Sequence, residues 1–253
     1  MPPWACEVKA TGRGAAPDVG FAVIATPIAP FAAYYLKVGP GLSSGQIMLF
    51  EVLRYAGVMT AAWTIRRRID VTGAKPFFLL ALGLYLVVAV YWWFFLRNGF
   101  GGIGGVFAVY FLLGLGAATW AIANLNYLPK ILSAEERTVA VSVHGAVTAF
   151  IGGFSPIIWG HFLKQGDTAG TFDATVFQWF FVSVALGALA LSPLIARLPE
   201  EKGHPVEPIL IGNAILNPIR AVTYLVNLID LRSLGRESGK PVERVDAGKE
   251  TRD

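Results

Sequence analysis

Residues 65–78 read IRRRIDVTGAKPFF. Three arginines, an aspartate, a glycine and a lysine stand between two apolar runs, QIMLFEVLRYAGVMTAAW (46–63) and FFLLALGLYLVVAVYWWFFL (77–96). The cluster is either a basic patch that grips an acidic partner or the short loop left between two membrane helices. Composition decides between them. The chain has 253 residues, of which 55% are hydrophobic and 15% charged, against about 25% charged in an ordinary soluble domain. Its formal charge of +4 is spread over short clusters between apolar stretches instead of lining one face, which argues against a nucleic-acid footprint. The stretch is therefore read as a loop, and the fold as membrane-embedded.

Working outward, six stretches approach the roughly 20 mostly apolar residues that a helix needs to cross a bilayer. They are 19–36, 45–65, 77–96, 102–125, 139–163 and 175–198, separated by turn-rich loops such as KVGPGLSSGQ and KQGDTAGTFD. The expected fold class is all-α, a polytopic membrane protein of six transmembrane helices. Lysine and arginine set its orientation. The loop after the second span holds Arg66, Arg67, Arg68 and Lys75 and that after the fourth holds Lys130 and Arg137, whereas the loops after the first, third and fifth hold Lys37, Arg97 and Lys164. Both termini are accordingly expected in the cytoplasm, in an inner or plasma membrane. YWWFF at 91–95 supplies aromatics for an outer interface.

The expected organisation is a cytoplasmic tail over 1–18, a six-helix domain over 19–200 and a cytoplasmic tail over 201–253. The first residues lack the basic start and apolar core of a cleavable signal. In the last tail, Asn213, Asn217, Arg220, Asn227 and Asp230 recur at helical spacing among Ile, Leu and Val, which predicts an amphipathic helix over about 208–234 followed by a disordered end. The lone Cys6 excludes an intrachain disulfide framework, and no cofactor or metal is expected.

Asp70, Gly73 and Lys75 spell D-x-x-G-x-K directly before an apolar span. This resembles the cytoplasmic loop signature of the major facilitator superfamily, in its second-half form, although Arg66 stands where the family has a small residue. The segment from Leu128 to Gly160, with Pro156, looks like the loop and helix that open that family's eleventh span, and Ser133 with Glu136 forms a capping-box pattern. Pro199, Glu200, Lys202, Gly203 and Glu207 are similar to the segment that closes sugar porters, and Tyr34 with Tyr35 echoes their tyrosine pair. The resemblance covers about 19–207, six helices where the family has twelve. It implies a secondary active transporter of a small solute, by symport or antiport with protons or sodium ions. The chain would be the C-terminal half, completed by a second six-helix half that is either another copy or a missing N-terminal portion. The alternative is a non-transporting six-helix scaffold or assembly protein.

Ionisable residues inside the spans are the candidate site. Glu51 and Arg54 are three residues apart, on one helix face and near mid-membrane. Charges there cost roughly 2.5 to 3.5 kcal/mol on insertion scales and usually face a cavity or one another. Glu51 is expected to take a proton or contact substrate, with Arg54 holding an anion or tuning it. Tyr34, Tyr35, Asn124 and Asn126 join them as pathway residues, and His144 ranks below Glu51 as a proton carrier. Asp70, Gly73, Lys75 and Arg137 are the expected gating loop, with Asp70 meeting the start of the fifth span near Arg137. Motifs for catalysis fail: G-x-G-x-x-G at Gly99, Gly101 and Gly104 follows no strand, and Gly153-x-Ser155 has Pro156 next and His161 on the same helix. No enzymatic activity is expected.

Overall fold

The computed structural model describes residues 16–66, 68–99, 101–131, 137–165 and 174–198. The chain divides into two units, Met1–Glu207 and Pro208–Asp253, and all described residues belong to the first. The sugar-porter-like segment, the capping-box pair Ser133 and Glu136 and the amphipathic 208–234 stretch lie outside the described residues. Among the described residues every regular element is helical: α1 (residues 16–25), α2 (Ile28–Val38), α3 (Ser44–Ile65), α4 (Ile69–Thr72), α5 (Lys75–Asn98), α6 (Gly102–Ile131), α7 (Arg137–Gln165) and α8 (Ala174–Ala196).

Five helical runs are long and apolar enough to cross a membrane: Ala16–Val38, Lys75–Asn98, Gly102–Lys130, Arg137–His161 and Ala174–Ala196. The described part of the protein is thus all-helical, with the spans of a multi-pass membrane protein. The sequence reading expects six spans, and α3 is the one that falls short. It has the length, 22 residues, but Glu51 and Arg54 dilute its apolar character.

Helix boundaries follow from local chemistry. α3 starts at a capping box, in which the Ser43 hydroxyl accepts the Gln46 N–H and the Gln46 side chain accepts the Ser43 N–H at 3.0 Å. The quoted loop contains a full helical turn, α4, which ends at Gly73 with φ +83°. That left-handed conformation suits glycine, and it lets α5 begin two residues later with Pro76 in its first turn. Gly99, with φ +64°, closes α5 in the same way.

The first span is interrupted. Residues 26 and 27 form a turn between α1 and α2, because Pro27 has no N–H to donate to the Val23 carbonyl four residues earlier. This broken span forms the centre of the bundle: Phe21 stacks on Trp120 of α6 with ring centroids 3.9 Å apart and meets Tyr85 of α5 edge-on. Ile24 lies against Gly187 of α8, and Phe31 packs on Phe180 of α8. α5 packs against α6 and α8, and α3 packs against α6. Trp92, expected at the outer interface with its YWWFF neighbours, is instead fully buried and stacks on Phe181. The helical period turns that one ring inward while Phe94 stays exposed.

The α3–α6 seam is steric. A side chain at Gly57 would overlap the Phe111 carbonyl, and one at Gly114 would overlap the Arg54 carbonyl, so the two backbones touch where both residues are glycine. Gly57 escaped the sequence reading, since one glycine within a span has no signature until its partner is known. Gly57→Ala and Gly114→Ala should each destabilise the chain by about 3 kcal/mol, the upper part of the usual overpacking range because a backbone cannot yield. Gly83→Ala, where nothing lies within 4 Å, should be neutral or slightly stabilising; thermal unfolding in detergent checks all three.

Candidate functional site

α1 carries a carboxylate into the bundle. The sequence reading ends the N-terminal tail at residue 18, but the helix is already under way at Ala16, so Asp18 lies inside the first span. It is buried, and its neighbours are polar. Trp120 Nε1 of α6 donates to Asp18 Oδ1 at 2.6 Å. Thr148 Oγ1 of α7 donates to Oδ2 at 2.9 Å, and His144 Nε2, also of α7, is 2.7 Å from the same oxygen. Asn124 Nδ2 of α6 is 3.4 Å from His144 Nε2 and completes the cluster. Three helices thus converge on one carboxylate. His144 lies seven residues inside the start of α7, about 10 Å along a helix axis.

Directly above this cluster α7 repairs the broken span. The Val23 carbonyl, freed by Pro27, accepts from Ser155 Oγ at 2.6 Å and from Trp159 Nε1 at 3.3 Å. Gly152 gives the approach its room, since a Cβ there would already press on Thr26 Oγ1. His144, Thr148, Gly152, Ser155 and Trp159 form one helical stripe, and the face of α7 bearing Val143, Val147, Phe150, Phe154 and Ile157 is exposed. The Ser155 hydroxyl that raises a nucleophile motif in the sequence is therefore engaged in closing the backbone.

The second polar locus is on α3. Arg54 Nε donates to Glu51 Oε2 at 2.5 Å, and the two side chains are 27% and 30% exposed. Arg54 also lies over the Tyr55 ring, 5.1 Å from its centroid. Tyr85 and Tyr110 are within electrostatic reach of the pair, and the buried Tyr110 hydroxyl has no hydrogen-bond partner.

The other expected residues divide. Tyr34 is exposed and stacks on Phe177, whereas Tyr35 sits edge-on to Trp92 and Phe177. Asn124 joins the Asp18 cluster, but Asn126 Nδ2 donates to the Ile122 carbonyl of its own helix at 2.9 Å. Asp70 and Arg137 are exposed and no hydrogen bond or ion pair joins them, while Gly73 and Lys75 are buried. Lys75 opens α5, buried against the bundle. Asp18 is missed in the sequence reading because an aspartate immediately before the first long apolar run looks like a tail residue.

Comparison with known proteins finds no matching family model, no matching curated protein and no matching solved structure. The geometry itself is testable. Ser155→Ala leaves the Val23 carbonyl one donor, and Ser155→Ala with Trp159→Phe leaves none. The expected losses are about 1 kcal/mol for the single variant and about 2 kcal/mol or more for the double, in the range of interhelical hydrogen bonds and unsatisfied buried carbonyls. Unfolding in detergent should show the double variant losing at least the sum of the single variants.

Proposed function

We propose that the chain is one six-helix half of a secondary active transporter that moves a small solute by alternating access. The observation that carries this reading is the Glu51–Arg54 pair, halfway along α3 and about one-third exposed on the bundle surface. A charged pair at mid-membrane depth is costly against lipid, so such residues face a water-filled cavity or another protein segment. A half-cavity, closed by a second half, meets that requirement. The partner is a second copy of this chain or a separate six-helix portion, and the membrane is an inner or plasma membrane with both termini cytoplasmic.

Two further features support the reading. The first span is interrupted by a turn at Pro27, with one helical hydrogen bond lost, and interruptions within spans are a recurrent feature of transporter binding sites. Asp70, Gly73 and Lys75 lie at one end of the bundle, in a turn short enough to couple the ends of α3 and α5. In this reading the loop is the cytoplasmic gate, and Asp70 pairs with the start of α7 near Arg137 in the closed state.

Water access tests the proposal without knowledge of the solute. In a Cys6→Ser background, Val52→Cys and Tyr55→Cys place thiols on the exposed face of α3, and Leu186→Cys and Leu189→Cys on the exposed apolar face of α8. A charged, membrane-impermeant maleimide should label the α3 positions severalfold faster than the α8 positions, with the favoured side differing between right-side-out and inside-out vesicles. Equal protection of all four would overturn the cavity and leave a six-helix scaffold as the better reading. Asp70→Asn should shift the α3 labelling toward the cytoplasmic side by about tenfold or less, the effect of losing one partly exposed ion pair; unchanged side preference would remove Asp70 from the gate.

A further inference from the structure

We infer that Asp18 and His144 form a binding site for one proton, and that its occupancy sets how firmly α7 is held to α1. The geometry defines the site. Asp18 Oδ1 accepts the Trp120 indole N–H at 2.6 Å, and an indole nitrogen can only donate, so this oxygen serves as an acceptor. Asp18 Oδ2 accepts the Thr148 hydroxyl at 2.9 Å and faces His144 Nε2 at 2.7 Å. Three donors on one side chain fit an ionised carboxylate, and the His144 ring supplies the third through Nε2–H.

That bond forms with either a neutral or a doubly protonated ring, and the difference between the two is charge. With a neutral imidazole the cluster carries a net charge of −1 inside a span, where His144 and Asp18 are 9% and 7% exposed. A proton taken from water onto His144 Nδ1 makes the ring an imidazolium, and the pair becomes neutral while the carboxylate stays ionised. The O–H bond of the donor hydronium breaks to leave water, and the new Nδ1–H is the one bond formed. Among the described residues His144 is the one charged partner acting on Asp18. α6 contributes Trp120 and Asn124, α7 Thr148, and α8 the apolar Leu191 beside Gly20. α5 presents Tyr85 only through the ring of Phe21.

The site also bears on movement. α7 is the least buried of the five long helices, with 11% of its apolar window inside the bundle, and its stripe against α1 is the polar one described above. The 2.7 Å contact is charge-assisted through the ionised carboxylate in both states; protonation adds an ion pair between α7 and the central span, and deprotonation removes it. This site rests on the membrane-spanning fold alone; where the chain is half of a transporter, the proton is its coupling ion.

The test uses the full chain in detergent and reads protons directly. Between about pH 8 and pH 5, where imidazoles exchange their charge, His144→Gln should take up one proton fewer per chain than wild type. Imidazole NMR signals, assigned by comparison with His161→Gln and His204→Gln, follow protonation of the His144 ring, and its midpoint is compared between wild type and Asp18→Asn. Asp18→Asn should move that midpoint toward acid by about one pH unit or more, a tenfold loss of proton affinity. Equal proton uptake by His144→Gln and wild type overturns the site, and that comparison stands if Asp18→Asn fails to fold. A His144 midpoint unmoved in folded Asp18→Asn overturns the pairing. Neither readout depends on transport or on labelling of α3, so the outcome is separable from that of the transporter reading.

Discussion

In hydrocarbon no water is present to accept an orphaned backbone group, and this constraint governs how the bundle is put together. Pro27 deprives the Val23 carbonyl of its helical donor in the middle of the first span. Only another helix can restore it, and α7 does so with Ser155 and Trp159. Because the repair needs a hydroxyl and an indole at fixed spacing, it sets the rotation and height of α7 relative to α1. The same rotation then places Thr148 and His144, about two and three turns before Ser155 toward the start of α7, over Asp18. The polar cluster and the broken span are thus two parts of one interface, and the proline between α1 and α2 frees the carbonyl on which α7 sits.

Two kinds of adhesion coexist in this protein. α7 joins the central span by directional hydrogen bonds and leaves most of its surface outside the bundle. α3 joins α6 by shape, through glycines whose backbones come into direct contact. Without a hydrophobic force between helices in lipid, these are the two means available, polar groups and close packing. They differ in what can change them. Packing contacts respond to volume alone, whereas the α1–α7 contact contains an acid and a base and so responds to its charge.

Much of the architecture could be read from residue order. Long apolar runs, turn residues and the glycine of the quoted loop located the helices to within a few residues, because bilayer thickness imposes a length on each span. The pairing of Glu51 with Arg54 was legible for the same kind of reason, since a three-residue offset on a helix settles the contact locally. What stayed hidden was non-local. Asp18 gained its meaning only from residues more than a hundred positions away, and Gly57 only from Gly114. The quoted loop hid a helical turn, α4, too short for any periodicity to reveal. Trp92 shows the opposite failure: an aromatic cluster at a span end suggests an interface, yet helical rotation sent one of its rings into the core.

The in-helix position of the Glu51–Arg54 pair bears on how the chain is made. In the proposed six-span reading, α3, which precedes α6 in the sequence, enters the membrane before the helix it packs against has been synthesised. During that interval nothing in the bundle can shield a charge on α3. Opposite charges one turn apart on the same helix need no partner for their first neutralisation; they meet as soon as the helix forms. A glutamate whose counter-ion sat on α6 would have to wait, exposed, for fifty further residues to emerge, whereas this helix arrives with its charge already balanced.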